Sequence, residues 1–146
     1  QDHDLLFELQ VFSSQAKDTC DFVSKFPDVS FVLLHGGMLE DLSPEGRAEW
    51  KNMIHSLAAF PNVSVKLSGL GMFVHRIDQP LIDYIISECL SAFGAKRCIY
   101  GSNFPIEKIW LNYETLITAY RAPLNQLSEN CQRSVLHDNA VRIYKL

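Results

Sequence analysis

His35 closes a run that is almost wholly apolar, Val29-Ser30-Phe31-Val32-Leu33-Leu34, and Gly36-Gly37 follow it at once. Two glycines beside an ionisable ring let backbone or ligand come close. A neutral imidazole in that place can bind a metal, move a proton or donate a hydrogen bond to a carbonyl. The same ring can also be satisfied by a backbone carbonyl. Lys66 and Ser68 end the run Val63-Ser64-Val65-Lys66-Leu67-Ser68. Lys66 can anchor a substrate carboxylate, pair with a buried acid, or snorkel to water. Ser102 and Asn103 follow Arg97-Cys98-Ile99-Tyr100-Gly101. Asn103 offers a donor and an acceptor but no proton at neutral pH. Turn chemistry before Phe104-Pro105 accounts for it on local grounds. Gln15 follows the first β-like run, where it either orients a substrate or sits on the first turn of a helix. His3, His55, His75 and His137 read as surface or packing groups.

These candidates share a position: each lies at or near the carboxyl end of a β-like run. The first run is Leu5 to Phe12, with Phe7, Leu9 and Val11 on one face and Glu8, Gln10 and Phe12 on the other. Ser13 or Ser14 is the expected cap of the helix after it, and Ala16, Cys20, Val23 and Phe26 recur at helical spacing. The second run, Val29 to His35, is apolar enough to be covered on both faces. Ser43-Pro44 then opens a helix whose stripe is Trp50, Met53, Ile54 and Leu57. The third run puts Val63, Val65 and Leu67 on one face and Ser64, Lys66 and Ser68 on the other. After Pro80 a wide stripe runs from Leu81 to Phe93, and Gly94 stops it. The fourth run is Arg97 to Ser102. Tyr113, Leu116, Ile117 and Tyr120 mark another helix, and Ser128 caps a last helical stretch carrying Val135, Leu136, Val141 and Ile143.

Four βα units in succession predict an α/β fold with a parallel sheet and crossover helices. Two architectures fit: an open doubly wound sheet, or half of a (β/α)₈ barrel, since a whole barrel needs about 250 residues. An inward-facing Lys66 leans towards the barrel. In either case ligands gather at the carboxyl ends of the strands.

Composition removes several function classes. The chain has 146 residues, 13 basic against 17 acidic, and a net charge of −4. That fits one domain, and no basic stripe invites nucleic acid. No apolar run reaches the roughly 18–20 residues of a membrane span, and no signal-peptide pattern opens the chain. The chain starts on Gln1 rather than Met, which points to a trimmed or processed product or a fragment. Cys20, Cys89, Cys98 and Cys131 match no zinc template and read as free thiols of a reducing, cytoplasmic setting. Gly69 and Gly71 do not complete a dinucleotide fingerprint, because Val74 holds the third glycine position. No P-loop, H-E-x-x-H or G-x-S-x-G motif occurs.

Four ordered segments carry a resemblance: Phe31-Val32-Leu33-Leu34-His35-Gly36-Gly37, Asn62 to Leu70, Tyr100-Gly101-Ser102-Asn103-Phe104-Pro105, and Asp138-Asn139-Ala140-Val141-Arg142-Ile143-Tyr144. Together they resemble the amidohydrolase-related family that contains sugar lactonases and pyrone-dicarboxylate lactonase. The resemblance covers nearly the whole chain. It implies the carboxyl-terminal half of a (β/α)₈ TIM barrel, strands five to eight, as a single partial domain over residues 1–146. His35 matches the family's histidine at the end of strand six, which contacts the metal or polarises the lactone carbonyl. Asn103 falls where many relatives carry the Asp that activates water; an amide cannot act as a general base, but it can hold water or substrate. Phe12-Ser13-Ser14-Gln15 matches a loop that in relatives often has a Pro and a His before the Gln. The family's His-x-His pair comes from strand one, which does not occur in this sequence. Zinc or another divalent metal is therefore implied only if missing amino-terminal ligands are supplied.

The leading expectation is a hydrolase that opens a small lactone or similar carboxylic ester. His35 and Asn103 would act on the carbonyl and the water, with His35 also the metal candidate. Gln15, Lys66, Ser68 and Ser102 would bind polar substrate groups. Half a barrel exposes two strand edges, so self-association or pairing with an amino-terminal half is expected. The alternative is a catalytically inactive remnant or assembly module, and an open α/β binding protein is the third reading. All versions of the enzyme require His35 and Asn103 to close around one pocket.

Overall fold

Runs rich in Val, Ile, Leu and Phe become four parallel strands in a computed structural model that describes residues 5–146: β1 (Leu6–Leu9), β2 (Ser30–Leu33), β3 (Val63–Leu67) and β4 (Cys98–Tyr100). His3 lies outside the described residues. The strand order is β1-β2-β3-β4, each strand hydrogen-bonded to the one before it in the chain. The pairing register aligns Leu9 with Leu33, Leu33 with Val65, and Leu67 with Tyr100. A doubly wound sheet reverses direction from a central strand. This one advances steadily in a single direction, as an arc of a barrel does, and the open-sheet alternative is thereby removed.

Period-two alternation sorts the strand residues into two faces. Phe31, Leu33, Val63, Val65 and Leu67 point to the outer face and are buried in the main core. The helices covering that face are α1 (Ala16–Ser24), α2 (Pro44–Ala58), α3 (Gln79–Phe93) and α4 (Tyr113–Leu124). Their buried stripes are the expected ones, with Trp50, Met53, Ile54 and Leu57 on α2 and Ile82, Ile85, Ile86 and Cys89 on α3. Burying each such large apolar side chain contributes about 1.5–3 kcal/mol. The other face carries Glu8, Val32, Ser64, Lys66 and Ile99.

Helix starts follow short polar side chains. Ser43 accepts from the Gly46 amide at 3.1 Å with Pro44 as the first helical residue, and Ser128 accepts from Cys131 at 3.4 Å, as predicted. The start of α1 differs. Ser13–Gln15 form a 3-10 turn, and no Ser13 or Ser14 cap forms. Gln15 reaches back instead, its Oε1 accepting from the Phe12 amide at 3.0 Å. The first strand is also shorter than its alternation suggested, because β2 ends at Leu33, opposite Leu9.

The last helical stretch breaks in two. Between α5 (Glu129–Arg133) and α6 (Asn139–Tyr144) lies a π-helical turn, Ser134–Asp138. Asn139 fixes this segment beneath β4, donating to the carbonyls of Ala95 and Cys98 at 2.7 and 2.8 Å. From there α6 carries Tyr144 onto the inner face, where its hydroxyl donates to Glu8 Oε1 at 2.6 Å. All four cysteines are free, with Cys89 and Cys98 buried; burial pushes the Cys98 thiol up to about 12. No helix among the described residues is long and apolar enough to cross a membrane.

Candidate functional site

The loop after β2 places His35. Its backbone is left-handed from His35 through Met38, with φ of 54°, 57°, 76° and 53°. Glycine takes that region freely and other residues do so at a cost of about 1–2 kcal/mol. The two glycines are also required by space. A Cβ on Gly36 would lie 2.9 Å from Ile85, and one on Gly37 would lie 2.9 Å from both Ile54 and Met53. The buried Trp50 indole donates to the Gly36 carbonyl at 2.8 Å and so pins the loop to α2. Strain held by such packing is a common mark of functional loops.

Beside His35 stands Ser68, just past β3 and 1% exposed, with its Oγ 3.0 Å from His35 Nδ1. Which atom donates depends on the imidazole tautomer, and either way Nε2 is left as the nitrogen for a ligand. Burial holds the His35 imidazole below the usual 6.5; the nearby Lys66 charge works the same way, against an opposing hydrogen bond with the Ser68 backbone and the Glu8 charge. The segment after Ser68 is tied down by Tyr120, whose hydroxyl accepts from the Leu70 amide at 2.9 Å.

Asn103 enters from the turn after β4, again left-handed at φ 55°. It meets His35 at Gly69. A Cβ on Gly69 would lie 2.8 Å from His35 Nδ1 and 3.0 Å from Asn103 Nδ2. The two side chains therefore flank one point on the strand-end rim. Sequence reasoning missed the group behind Asn103. Glu107 is wholly buried, accepts from Asn103 Nδ2 at 3.4 Å through Oε1, and accepts from the Trp110 indole at 2.6 Å through Oε2. The four-residue spacing from Asn103 to Glu107 was the available signal.

Lys66 lies on the inner face, as expected, but it is occupied. Its Nζ donates to Glu8 Oε1 at 3.2 Å and sits 5.2 Å from the centre of the Tyr144 ring. Burial works to raise the Glu8 carboxyl, but hydrogen bonds from Tyr144 and Lys66 outweigh it and leave the group below its usual 4.5. Ser102 and Gln15 are turned to local backbone: Ser102 Oγ accepts from the Phe104 amide at 3.2 Å, and Gln15 accepts from Phe12. The other described histidines lie apart from this cluster. His75 stacks 4.7 Å from Trp110, His55 faces Glu88, and His137 pairs with Asp138.

The donor set does not fit a zinc ion by itself. Among the described residues no three His, Cys, Asp or Glu side chains cluster as ligands. His35 has Ser68, Gly69 and an amide around it, and a catalytic zinc takes three protein ligands. What this cluster can do unaided is hold a carbonyl and a water: a neutral ring nitrogen, an amide and a hydroxyl on a partly buried rim.

Comparison with known proteins identifies the family of the chain. The amidohydrolase family pattern matches residues 1–146, the whole chain. The chain is 32% identical over 142 residues to protein y4mH of Sinorhizobium fredii, covering 97% of this chain and 48% of that protein. It is 27% identical over 157 aligned positions to the L-fucono-1,5-lactonase of Burkholderia multivorans, covering 100% of this chain and 53% of that enzyme. A crystal structure of an amidohydrolase from Burkholderia multivorans with bound zinc superposes with a TM-score of 0.92 at 25% identity, over 99% of this chain and 54% of that one. The chain thus spans about half the length of the relatives it matches, and its four βα units form half of a TIM barrel. It belongs to the amidohydrolase family.

Proposed function

We propose that this chain is the carboxyl half of a lactone-opening hydrolase. The observation that carries the reading is the convergence of His35 and Asn103, from two strand ends, on Gly69. Water attacks the lactone carbonyl carbon, the ring carbon–oxygen bond breaks, and the water proton ends on the released alkoxide, giving a hydroxy acid. His35 Nε2 polarises the carbonyl or carries that proton, with Ser68 fixing its tautomer. Asn103 holds the water by hydrogen bonds. Lys66, Gln15 and Ser102 come to the substrate only by leaving the partners they hold now. Free thiols accord with a reducing, cytoplasmic setting.

The site needs more chain around it. The β1 edge has no strand beside it among the described residues, and Phe7 and Leu5 there are 50% and 76% exposed. An amino-terminal half, or a second copy, covers that edge in this reading and supplies any metal ligands. The lactonase relative supports a small sugar-derived lactone as substrate. The donor set favours one rival, an inactive half-barrel that serves assembly.

Hydrolysis of a lactone panel that includes L-fucono-1,5-lactone tests both readings. The chain is assayed alone and with its amino-terminal half, with and without divalent metal. Turnover abolished by His35→Ala is expected. Turnover unchanged by His35→Ala removes the mechanism, and no turnover in any assembly leaves the inactive module.

A further inference from the structure

We infer that Glu107 is a positioning residue that fixes which end of the Asn103 amide faces the reaction site, an inference that rests on the lactonase reading for its catalytic consequence. Glu107 is 0% exposed and nothing in the proposed reaction uses it directly. A carboxyl group buried this deeply must have partners, since an unpaired one is costly. Its two oxygens are each taken by a nitrogen donor, Asn103 Nδ2 on one side and Trp110 Nε1 on the other.

A carboxylate only accepts hydrogen bonds, so it can face the NH₂ end of an amide but not the carbonyl end. That chemistry sets the Asn103 rotamer. With Nδ2 donating to Glu107, Oδ1 is the atom of the amide left to accept from a water. The backbone reinforces the arrangement, because the Glu107 amide donates to the Asn103 carbonyl at 3.2 Å. Glu107 thus grips Asn103 at side chain and main chain together.

The loop between β3 and α3 packs beside the same carboxylate. A Cβ on Gly71 would lie 3.8 Å from Glu107 Oε2, in ordinary van der Waals contact. Trp110, aimed by Oε2, carries His75 of that loop on its ring at 4.7 Å. One buried group therefore ties Asn103 to Trp110, with the loop that follows Gly69 packed against the pair. Neutral Gln at this place can face a carbonyl to Asn103 or to Trp110, but not to both with equal geometry.

Side-chain amide signals of Asn103, assigned by their loss in Asn103→Asp, read the claim without any need for turnover. In the isotope-labelled chain one amide proton should be shifted downfield and exchange slowly with solvent. Glu107→Gln should move both signals while the backbone amide spectrum is otherwise kept. Fast exchange of both Asn103 protons in the wild-type chain overturns the inference, even where Glu107→Gln fails to fold. So do Asn103 signals that are identical in the variant. In the lactone assay, Glu107→Gln should lower kcat on the order of ten- to a hundred-fold with KM little changed, the loss expected when a group is misplaced by about an ångström. Turnover that is unaffected by Glu107→Gln overturns positioning and leaves the lactonase reading standing. A protected, Glu107-dependent amide in a chain that opens no lactone does the reverse.

Discussion

His35 and Asn103, 68 residues apart in the chain, press on the same face of Gly69. Neither nitrogen leaves room for a methyl group there, and Gly69 itself is left-handed at φ +61°. Gly69→Ala should therefore act twice. The backbone change alone costs about 1–2 kcal/mol, seen as a lower urea midpoint. The new methyl also pushes His35 and Asn103 apart, so hydrolysis should fall further than the loss of folded protein explains. A Gly69→Ala variant with wild-type stability and turnover would show that the two side chains have no need of this contact.

The Ser68 hydroxyl should set the tautomer of His35. Burial holds the imidazole below 6.5, so the ring is neutral at pH 7. Because the unfolded chain takes up the proton first on acidification, this group contributes stability that is complete above pH 6.5 and is lost as pH falls through the folded value. The acid limb of the rate profile should accordingly lie below pH 6.5. Ser68→Ala leaves the backbone contact that opposes the shift and removes the Oγ beside Nδ1, so kcat should drop by about ten-fold as the tautomer is no longer set, while the acid limb stays below pH 6.5. A kcat unchanged by the substitution would separate the Ser68 hydroxyl from the chemistry.

Much of this arrangement can be read from residue types. Strand alternation placed Val63, Val65 and Leu67 against helices and Lys66 on the opposite face, and the glycines after His35 marked a loop under steric constraint. The resemblance supplied the barrel, which periodicity could not distinguish from an open sheet. What stayed hidden was long-range pairing. Nothing in Val141-Arg142-Ile143-Tyr144 says that the tyrosine turns inward to a glutamate 136 residues away. Helical spacing describes which face of α6 is apolar, not which layer it joins. Lys66 was legible as an inward cation, but its partner Glu8 depends on the register between distant strands. Its spacing from Asn103 aside, nothing in the local sequence sets Glu107 apart, because charged side chains are usually exposed.

Tyr144 gives α6 its hold on the inner face. Tyr144→Phe keeps the ring over Lys66 and removes only the hydroxyl that donates to Glu8. A hydrogen bond to a charged group contributes about 1.5–3 kcal/mol, less for a site open to water as this one is. The variant should unfold at lower urea, and the Glu8 carboxyl should rise towards 4.5. With its folded value depressed, Glu8 contributes stability present above its unfolded value and lost as pH falls through the folded one. The stability gap between wild type and Tyr144→Phe should hence narrow in acid. A gap that stays constant as pH falls well below 4.5 would locate the effect elsewhere.

Asn103→Asp is the sharpest test of how the rim is built, because it restores the acid that the resemblance leads one to expect. In this chain the new carboxylate would face Glu107 across the present 3.4 Å contact. Two carboxylates that close cannot both ionise freely, and one of them holds its proton to higher pH. The folded variant then binds more protons than the unfolded chain, so its stability falls as pH rises. Asn103→Asp should match the wild type near pH 4 and lose about 1–3 kcal/mol by pH 7. Adding Glu107→Gln removes the repulsion, and the amide can donate to the new carboxylate. The double variant should therefore be more stable at pH 7 than the two single changes predict, with a coupling of about 0.5–3 kcal/mol. Strictly additive single effects would mean that Asn103 and Glu107 do not sense each other. The choice of amide at 103 would then have nothing to do with the buried acid behind it.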